Sequence, residues 1–135
     1  MTNDLWLNLP VKDVARSRDF FTKLGFSFTN GAGNASMAHL VVGKQGVICN
    51  LCEENLFKSF SGNELPAPKH SEVMLSLGAA SRAEVDEWAA KAQEAGANVF
   101  GKPSEVQGWM YGCGFADLDG HNWNILYMDM SKMPK

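Results

Sequence analysis

Few side chains in this chain have the chemistry of a catalytic or binding group, and Glu72 is the leading candidate among them. Glu72 stands at the start of a short segment that we expect to form a strand. A carboxylate on the inner face of a concave sheet could act as a general acid or base, or could anchor a cationic ligand. The alternative is that Glu72 pairs with a cation at the strand end, such as Lys69.

The histidines and cysteines do not form a recognisable metal or nucleophile motif. His39, His70 and His121 share no helical spacing and could meet only through tertiary structure, so we expect surface or hydrogen-bonded structural roles. Cys49 and Cys52 match a C-x-x-C pattern, but they lie in a predicted strand, where residues three apart face opposite sides. We therefore expect both cysteines to be small buried strand residues.

Aromatic side chains are numerous for a chain of this size. Alternation along a predicted strand at 109–115 puts Trp109, Tyr111 and Phe115 on one face, together with Cys113. This set could line a cleft for a flat or cationic small molecule. The alternative is that the same residues pack in the core or are buried in a dimer.

The composition indicates one globular domain of 135 residues, with 45% hydrophobic and 20% charged residues. The net charge of −3 and the scattered basic residues argue against a nucleic-acid or anionic-membrane partner. We see no signal peptide and no apolar run long enough to span a membrane, so we expect a cytoplasmic protein.

The first half of the chain predicts a strand, a helix and three further strands. Residues 5–11 alternate, so that Trp6 and Asn8 share a face. Asp13 is a suitable N-cap for the helix, and Gly25 fits the left-handed position after its last turn. The remaining predicted elements are a strand from Phe26, a turn at 30–34, and hairpin strands at 39–43 and 46–52.

The second half repeats this plan after a segment, 53–71, that we interpret as a short helix followed by a linker or lid. Ser81 and Glu84 form a capping box that opens a helix, and Gly96 ends it. The predicted strands are 72–77, 97–100, 109–115 and 122–128, with a turn at 101–103. We therefore predict an α+β fold of two βαβββ modules, about 5–52 and 72–128, whose paired curved sheets enclose a cleft.

Three local features together resemble a known family. They are Leu9-Pro10-Val11-Lys12-Asp13 with Ser17, Phe20-Phe21 and Leu24-Gly25-Phe26; Glu94-Ala95-Gly96; and Asp117-Leu118-Asp119-Gly120-His121. This order resembles the vicinal-oxygen-chelate superfamily, which includes glyoxalase I, bleomycin-resistance proteins and extradiol dioxygenases. Residues 108–111 and Trp123 resemble its PhnB-like branch.

The resemblance implies four inward-facing strand positions that bind a divalent metal in the family's enzymes. When each position is transferred to this chain, the four fall on Trp6, Asn50, Glu72 and Asn124. If the alignment of the first strand is shifted by two residues, Asn8 takes the place of Trp6. An indole has no lone pair to give, and amide oxygens are weak neutral ligands for transition metals. We therefore expect no metal cofactor, with a divalent metal as the alternative.

The sequence favours a metal-free small-molecule binding protein of the glyoxalase/bleomycin-resistance-like type, with an aromatic or cationic ligand. The alternative is a lyase, isomerase or dioxygenase of the same superfamily that has an altered metal site or uses Glu72 as acid or base. The resemblance also implies a homodimer. The expected ligand-binding residues are Trp6, Asn8, Asn50, Trp109, Tyr111 and Asn124.

Overall fold

A computed structural model describes residues 4–29 and 34–134 and divides the chain into two compact units, Met1–Pro68 and Lys69–Lys135. Most of the turn predicted at 30–34 lies outside the described residues. Within those described, no helix is long and apolar enough to cross a membrane.

The first unit is a four-stranded mixed sheet with a helix on one face. The elements are β1 (Trp6–Val11), α1 (Val14–Lys23), β2 (Ser27–Phe28), β3 (Met37–Val42), β4 (Val47–Glu53) and α2 (Glu54–Ser61). The strand order is β1-β4-β3-β2, with β1 parallel to β4 and the other neighbours antiparallel. Helix α2 follows β4 directly and contacts β1 and β4.

Helix α1 begins and ends as its sequence predicts. The Asp13 side chain accepts a hydrogen bond from the Arg16 backbone N–H at 3.0 Å, which satisfies one of the free donors of the first turn. Gly25 follows the helix with a φ of 94°. The apolar stripe of the helix packs on the sheet and buries Val14, Ser17, Phe20 and Phe21.

The second unit repeats this architecture. Its elements are β5 (Met74–Gly78), α3 (Arg82–Glu94), β6 (Asn98–Val106), β7 (Met110–Ala116), β8 (Asn122–Met128) and a 3₁₀ turn (Met130–Lys132). The strand order is β5-β8-β7-β6, with β5 parallel to β8. Helix α3 covers one face and begins at the predicted capping box, where the Glu84 N–H donates to Ser81 Oγ at 3.1 Å.

The predicted α+β fold of two βαβββ modules is therefore confirmed, with corrections to three boundaries. β6 continues through the turn predicted at 101–103: it is an edge strand, where proline is tolerated, and its register with β7 shifts between Gly101 and Ser104. β5 begins at Met74, so Glu72 lies outside the strand. β7 begins at Met110, so Trp109 lies in the turn before it.

Candidate functional site

A row of polar side chains crosses the first sheet on the face away from α1, here called the far face. The helix-facing residues of β3 and β4 include Leu40 and Leu51, which are fully buried. His39 and Asn50 alternate with them and lie opposite each other in the β3–β4 pairing. Asn8 of β1 lies opposite Asn50 on the other side of β4. The row thus follows from strand register alone.

Hydrogen bonds connect these three side chains in series. His39 Nδ1 lies 2.7 Å from Asn50 Oδ1, and Asn50 Nδ2 donates to Asn8 Oδ1 at 3.0 Å. At the other end of the row, the Thr29 backbone N–H donates to the His39 carbonyl at 3.0 Å, and Thr29 continues the register of β2 on the same face. Asn8, Asn50, His39 and Thr29 are called the first-sheet polar row below.

Two mainly apolar bands border the first-sheet polar row on the same face. Residues two apart on a strand point to the same face, so the neighbours of the row two residues away on each strand also lie on the far face. Trp6 belongs to the first band and is 66% exposed, whereas Cys52 of the second is fully buried. The first band is Trp6, Ile48 and Val41, and the second is Pro10, Cys52 and Met37.

The cysteines behave as buried strand residues, as the sequence predicts. Cys49 and Cys52 are both fully buried, and no disulfide involves Cys49, Cys52 or Cys113. Cys52 lies near the first-sheet polar row, with Sγ 4.0 Å from Asn8 Oδ1. Burial raises the pKa of the Cys52 thiol, so it is a protonated group at neutral pH rather than a thiolate ligand.

The corresponding row of the second sheet carries fewer side chains. Asn124 of β8 lies level with Ser76 of β5, and Asn124 Nδ2 donates to Ser76 Oγ at a long 3.4 Å. On the other side of Asn124, the level position is Gly114 of β7. The ring of Phe100 lies over Gly114, since a Cβ built on that glycine would approach the ring carbons to 2.7 Å.

The residues expected to bind a ligand fall into separate groups. Asn8 and Asn50 are hydrogen-bonded in the first unit, with Trp6 next to them on β1. Asn124 lies in the second unit, where its level partner on β5 is Ser76 rather than Glu72. The Glu72 position is exposed and precedes the strand because the alternation of β5 starts two residues later.

The two aromatic residues expected in a cleft have other surroundings. Tyr111 lies opposite Tyr127 on the side of the second sheet that faces α3, and its hydroxyl donates to Asp86 of that helix at 2.7 Å. This hydrogen bond raises the pKa of Tyr111. Trp109 lies in the β6–β7 turn, and its buried indole Nε1 has no hydrogen-bond partner among the described residues.

His39 and Thr29 are the two members of the row that the sequence did not predict as site residues, and for His39 a signal existed. The signal was present in the hairpin: the turn at Gly43–Gly46 closes with a bond from the Gly46 N–H to the Gly43 carbonyl. Pairing outward from that turn puts His39 level with Asn50. Counting from the turn would have shown that Asn50 has an imidazole partner.

The donor set at these positions does not fit a catalytic transition metal. In the first unit, Asn8, Asn50 and His39 offer two neutral amides and one imidazole, and in the second unit Ser76 and Asn124 offer a hydroxyl and an amide. No group of three or more His, Cys, Asp or Glu residues arranged to hold a metal ion occurs among residues 4–29 and 34–134. Such metals are normally held by at least three imidazole, thiolate or carboxylate ligands, so we derive no metal-dependent step here.

Comparisons with known proteins agree with this architecture. A model of the bleomycin resistance protein-like N-terminal family matches residues 5–43. The structure of hypothetical protein SA1046 from S. aureus has 35% sequence identity, a TM-score of 0.83 and 94% of each chain covered. A search of curated proteins finds no match.

More distant structures share the fold. A glyoxalase-related enzyme from Fulvimarina pelagi has 16% identity and a TM-score of 0.81, covering 94% of this chain and 88% of its own. A lactoylglutathione lyase from Agrobacterium tumefaciens has 16% identity and a TM-score of 0.67, covering 98% of each. The chain belongs to the vicinal-oxygen-chelate superfamily of glyoxalase and bleomycin-resistance proteins. Its placement in the PhnB-like branch stays a prediction.

Proposed function

We propose that this protein binds a small organic molecule on the far face of its first sheet and needs no transition metal to do so. The observation that carries the proposal is the hydrogen-bonded series His39–Asn50–Asn8, which offers both donors and acceptors from uncharged amides and an imidazole. Polar groups held between apolar surfaces are typical of small-molecule sites, because apolar contact supplies affinity and the polar groups fix orientation.

The surroundings of the row favour an aromatic ligand. Trp6 offers an exposed indole beside Asn8, and Ile48 and Val41 continue that band across the sheet. An aromatic ring can stack on the indole and bury apolar area while its substituents bond to the row. The same indole face could attract a cationic group, so cationic aromatic compounds belong in the first ligand set.

Metal content separates this proposal from the enzymatic alternative. Purified protein would be incubated in turn with zinc, nickel, manganese and iron(II), desalted, and analysed for metal per chain by mass spectrometry. We expect less than about a tenth of an equivalent of each metal, because neutral amide donors bind these ions weakly. Near-stoichiometric metal would contradict the proposal and favour a lyase, isomerase or dioxygenase.

Binding itself is tested with a fixed compound set and a matched pair of variants. The set would contain metal-free bleomycin and small aromatic carboxylates, amines and amides, and thermal shift hits would be measured by calorimetry. Asn50→Ala removes the central side chain of the series, whereas Asn63→Ala changes an exposed loop asparagine outside both sheets. We expect Asn50→Ala to weaken binding about tenfold and Asn63→Ala to leave it unchanged.

Either of two results would remove the first-sheet polar row from the proposed function. One is that no compound in the set binds the wild-type protein. The other is that a bound compound has equal affinity for Asn50→Ala and wild type. In the latter case the second-sheet pair, Ser76 and Asn124, would be the next position to change.

A further inference from the structure

The hydrogen bonds of the first-sheet polar row have a direction, and that direction fixes which groups remain for a ligand. Asn50 Nδ2 is placed to donate to Asn8 Oδ1, since an amide nitrogen cannot accept. Asn50 Oδ1 therefore faces His39 Nδ1 as an acceptor, and Nδ1 must carry a hydrogen. In the neutral imidazole, the other nitrogen, Nε2, then keeps its lone pair.

The two ends of the series are consequently different. At one end His39 Nε2 is an acceptor, and at the other Asn8 Nδ2 has two N–H donors. Neither atom has a hydrogen-bond partner within the part of the chain that the structure describes. Asn8 is exposed and His39 is half-buried. A ligand that fits both ends must offer an acceptor to Asn8 and a donor to His39.

The sheet sets the spacing between these ends. Asn8 lies on β1 and His39 on β3, with β4 between them. Two interstrand steps separate the ends by roughly 10 Å. The bordering bands lie two residues away along each strand, roughly 7 Å on each side, which suits a flat ring lying across the strands.

We propose that the first-sheet polar row selects hydroxyaryl carboxylates, in which a phenol hydroxyl and a carboxylate lie at opposite ends of an extended flat molecule. The phenol donates to His39 Nε2, the carboxylate accepts from Asn8 Nδ2, and the ring contacts the band that contains Trp6. This ligand class rests on the proposed function, because it assumes that binding occurs on the far face of the first sheet.

The first test uses 4-hydroxycinnamate and its methyl ether, 4-methoxycinnamate, as probes of the donor. The two share the carboxylate and the ring, but the ether cannot donate. We expect calorimetry to show about tenfold weaker binding of the ether, the effect of one hydrogen bond. In His39→Phe, which keeps a ring but removes both nitrogens, we expect the two probes to bind equally. His70→Phe, which changes an exposed histidine, should retain the tenfold preference.

The second test observes the imidazole directly and needs no ligand. Long-range proton–nitrogen NMR on ¹⁵N-labelled protein distinguishes the two neutral tautomers of His39, and His39→Phe assigns its signals. We expect the Nδ1–H tautomer in the wild type. Asn50→Ala should lose that preference, because the acceptor of the Nδ1 hydrogen is gone.

Each contrary result has a distinct meaning. The Nε2–H tautomer in the wild type would reverse the series and overturn the proposal. So would equal binding of both probes, or no binding of 4-hydroxycinnamate. If the probes bind equally but Asn50→Ala weakens both, donor selection is wrong while the proposed function holds. Failure of the whole compound set would instead remove the proposed function.

Discussion

The two sheets have the same strand plan, but their far faces differ at the level where the first sheet is most polar. Asn8 of β1 pairs with Asn50 of β4 in the first sheet. The corresponding pair in the second sheet is Ser76 of β5 with Asn124 of β8. The third strand carries His39 in the first sheet and Gly114 in the second. The first sheet thus has a connected polar series, where the second has one long hydrogen bond beside a glycine that the Phe100 ring covers.

The helix-facing sides of the two sheets differ much less. Both are closed by a helix with a side-chain N-cap, Asp13 or Ser81, and both bury large apolar side chains such as Leu40 and Trp123. Packing against a helix restricts those positions, because a change of even one methylene is felt in a close-packed core. Asn8, Asn50 and His39 on the far face are exposed or half-buried and are less restricted, so the chemical difference between the units lies at these positions.

Substitutions at two glycines of the second sheet should have the largest effect on the free energy of unfolding. A methyl group at Gly112 would lie 2.8 Å from the Ile125 carbonyl oxygen, which cannot move without disturbing β8. At Gly114 the obstacle is the Phe100 ring, which is 55% exposed and can swing away. We expect Gly112→Ala to lower the free energy of unfolding by about 3 kcal/mol and Gly114→Ala by about 1 kcal/mol. Urea denaturation followed by circular dichroism measures both; equal losses would show that Phe100 is held rigidly.

The hairpins joining the last two strands of each unit provide the next comparison. The hairpin between β7 and β8 contains a buried carboxylate, Asp117. This carboxylate accepts hydrogen bonds from the Trp123 indole N–H at 3.1 Å and from the His121 backbone N–H at 3.0 Å. Asp117→Asn presents an amide donor to one of these N–H groups. We expect a loss of about 1–3 kcal/mol in unfolding free energy, because a buried donor is left unpaired. The exposed control, Glu94→Gln, should change stability by less than about 0.5 kcal/mol.

Asp117 also predicts a specific dependence of stability on pH. Burial raises the pKa of this carboxyl above its ordinary value of 3.8, and its hydrogen bonds and the charge of His121 only partly oppose this shift. Between these two pKa values the folded state binds more protons than the unfolded state, so stability falls as the pH rises. The stability advantage of wild type over Asp117→Asn should therefore be greater at acidic pH. An advantage that grows with rising pH would mean that the hydrogen bonds outweigh burial.

Much of this fold could be predicted from the sequence, because periodicity and caps are local signals. The capping box at Ser81 and Glu84 and the helix-ending glycines appear where expected, and every predicted strand is present, although several strand boundaries are shifted. β6 was predicted too short because Gly101 and Pro103 read as a turn, whereas the position of β6 at the sheet edge tolerates them. Whether a strand lies at the edge of a sheet depends on the tertiary structure, and the local sequence pattern does not indicate it.

The candidate site was only partly predictable, for the same reason. The pair Asn8–Asn50 depends on the register of parallel strands far apart in sequence, and the resemblance to a known family supplied it only within two residues. His39 required the hairpin register as well. Glu72 was predicted as the first residue of a strand at 72–77, but alternation alone could not fix the start of that strand to within two residues, and it begins at Met74.

The N-caps of α1 and α3 are the feature in which the two units are most similar. Asp13 Oδ1 accepts one backbone bond, whereas Ser81 works together with Glu84, whose carboxylate accepts from the Ala80 N–H at 2.6 Å. We expect Asp13→Ala and Ser81→Ala each to cost about 1 kcal/mol of unfolding free energy. The double change Ser81→Ala with Glu84→Ala should cost more than Ser81→Ala alone, measured by urea denaturation. Equal losses of unfolding free energy in the single and double variants would mean that the hydrogen bond from Ala80 to Glu84 contributes nothing to stability.

The smallest effect should come from the second-sheet row itself. Asn124→Ala removes only the 3.4 Å contact with Ser76, so we expect a change in unfolding free energy below about 0.5 kcal/mol. Asn50→Ala should cost about 1 kcal/mol, because it removes two shorter bonds and leaves the His39 Nδ1 hydrogen without its acceptor. Thermal and urea unfolding of the two variants side by side measure this difference. Equal costs would mean that the polar series adds nothing to the first sheet that the second sheet lacks.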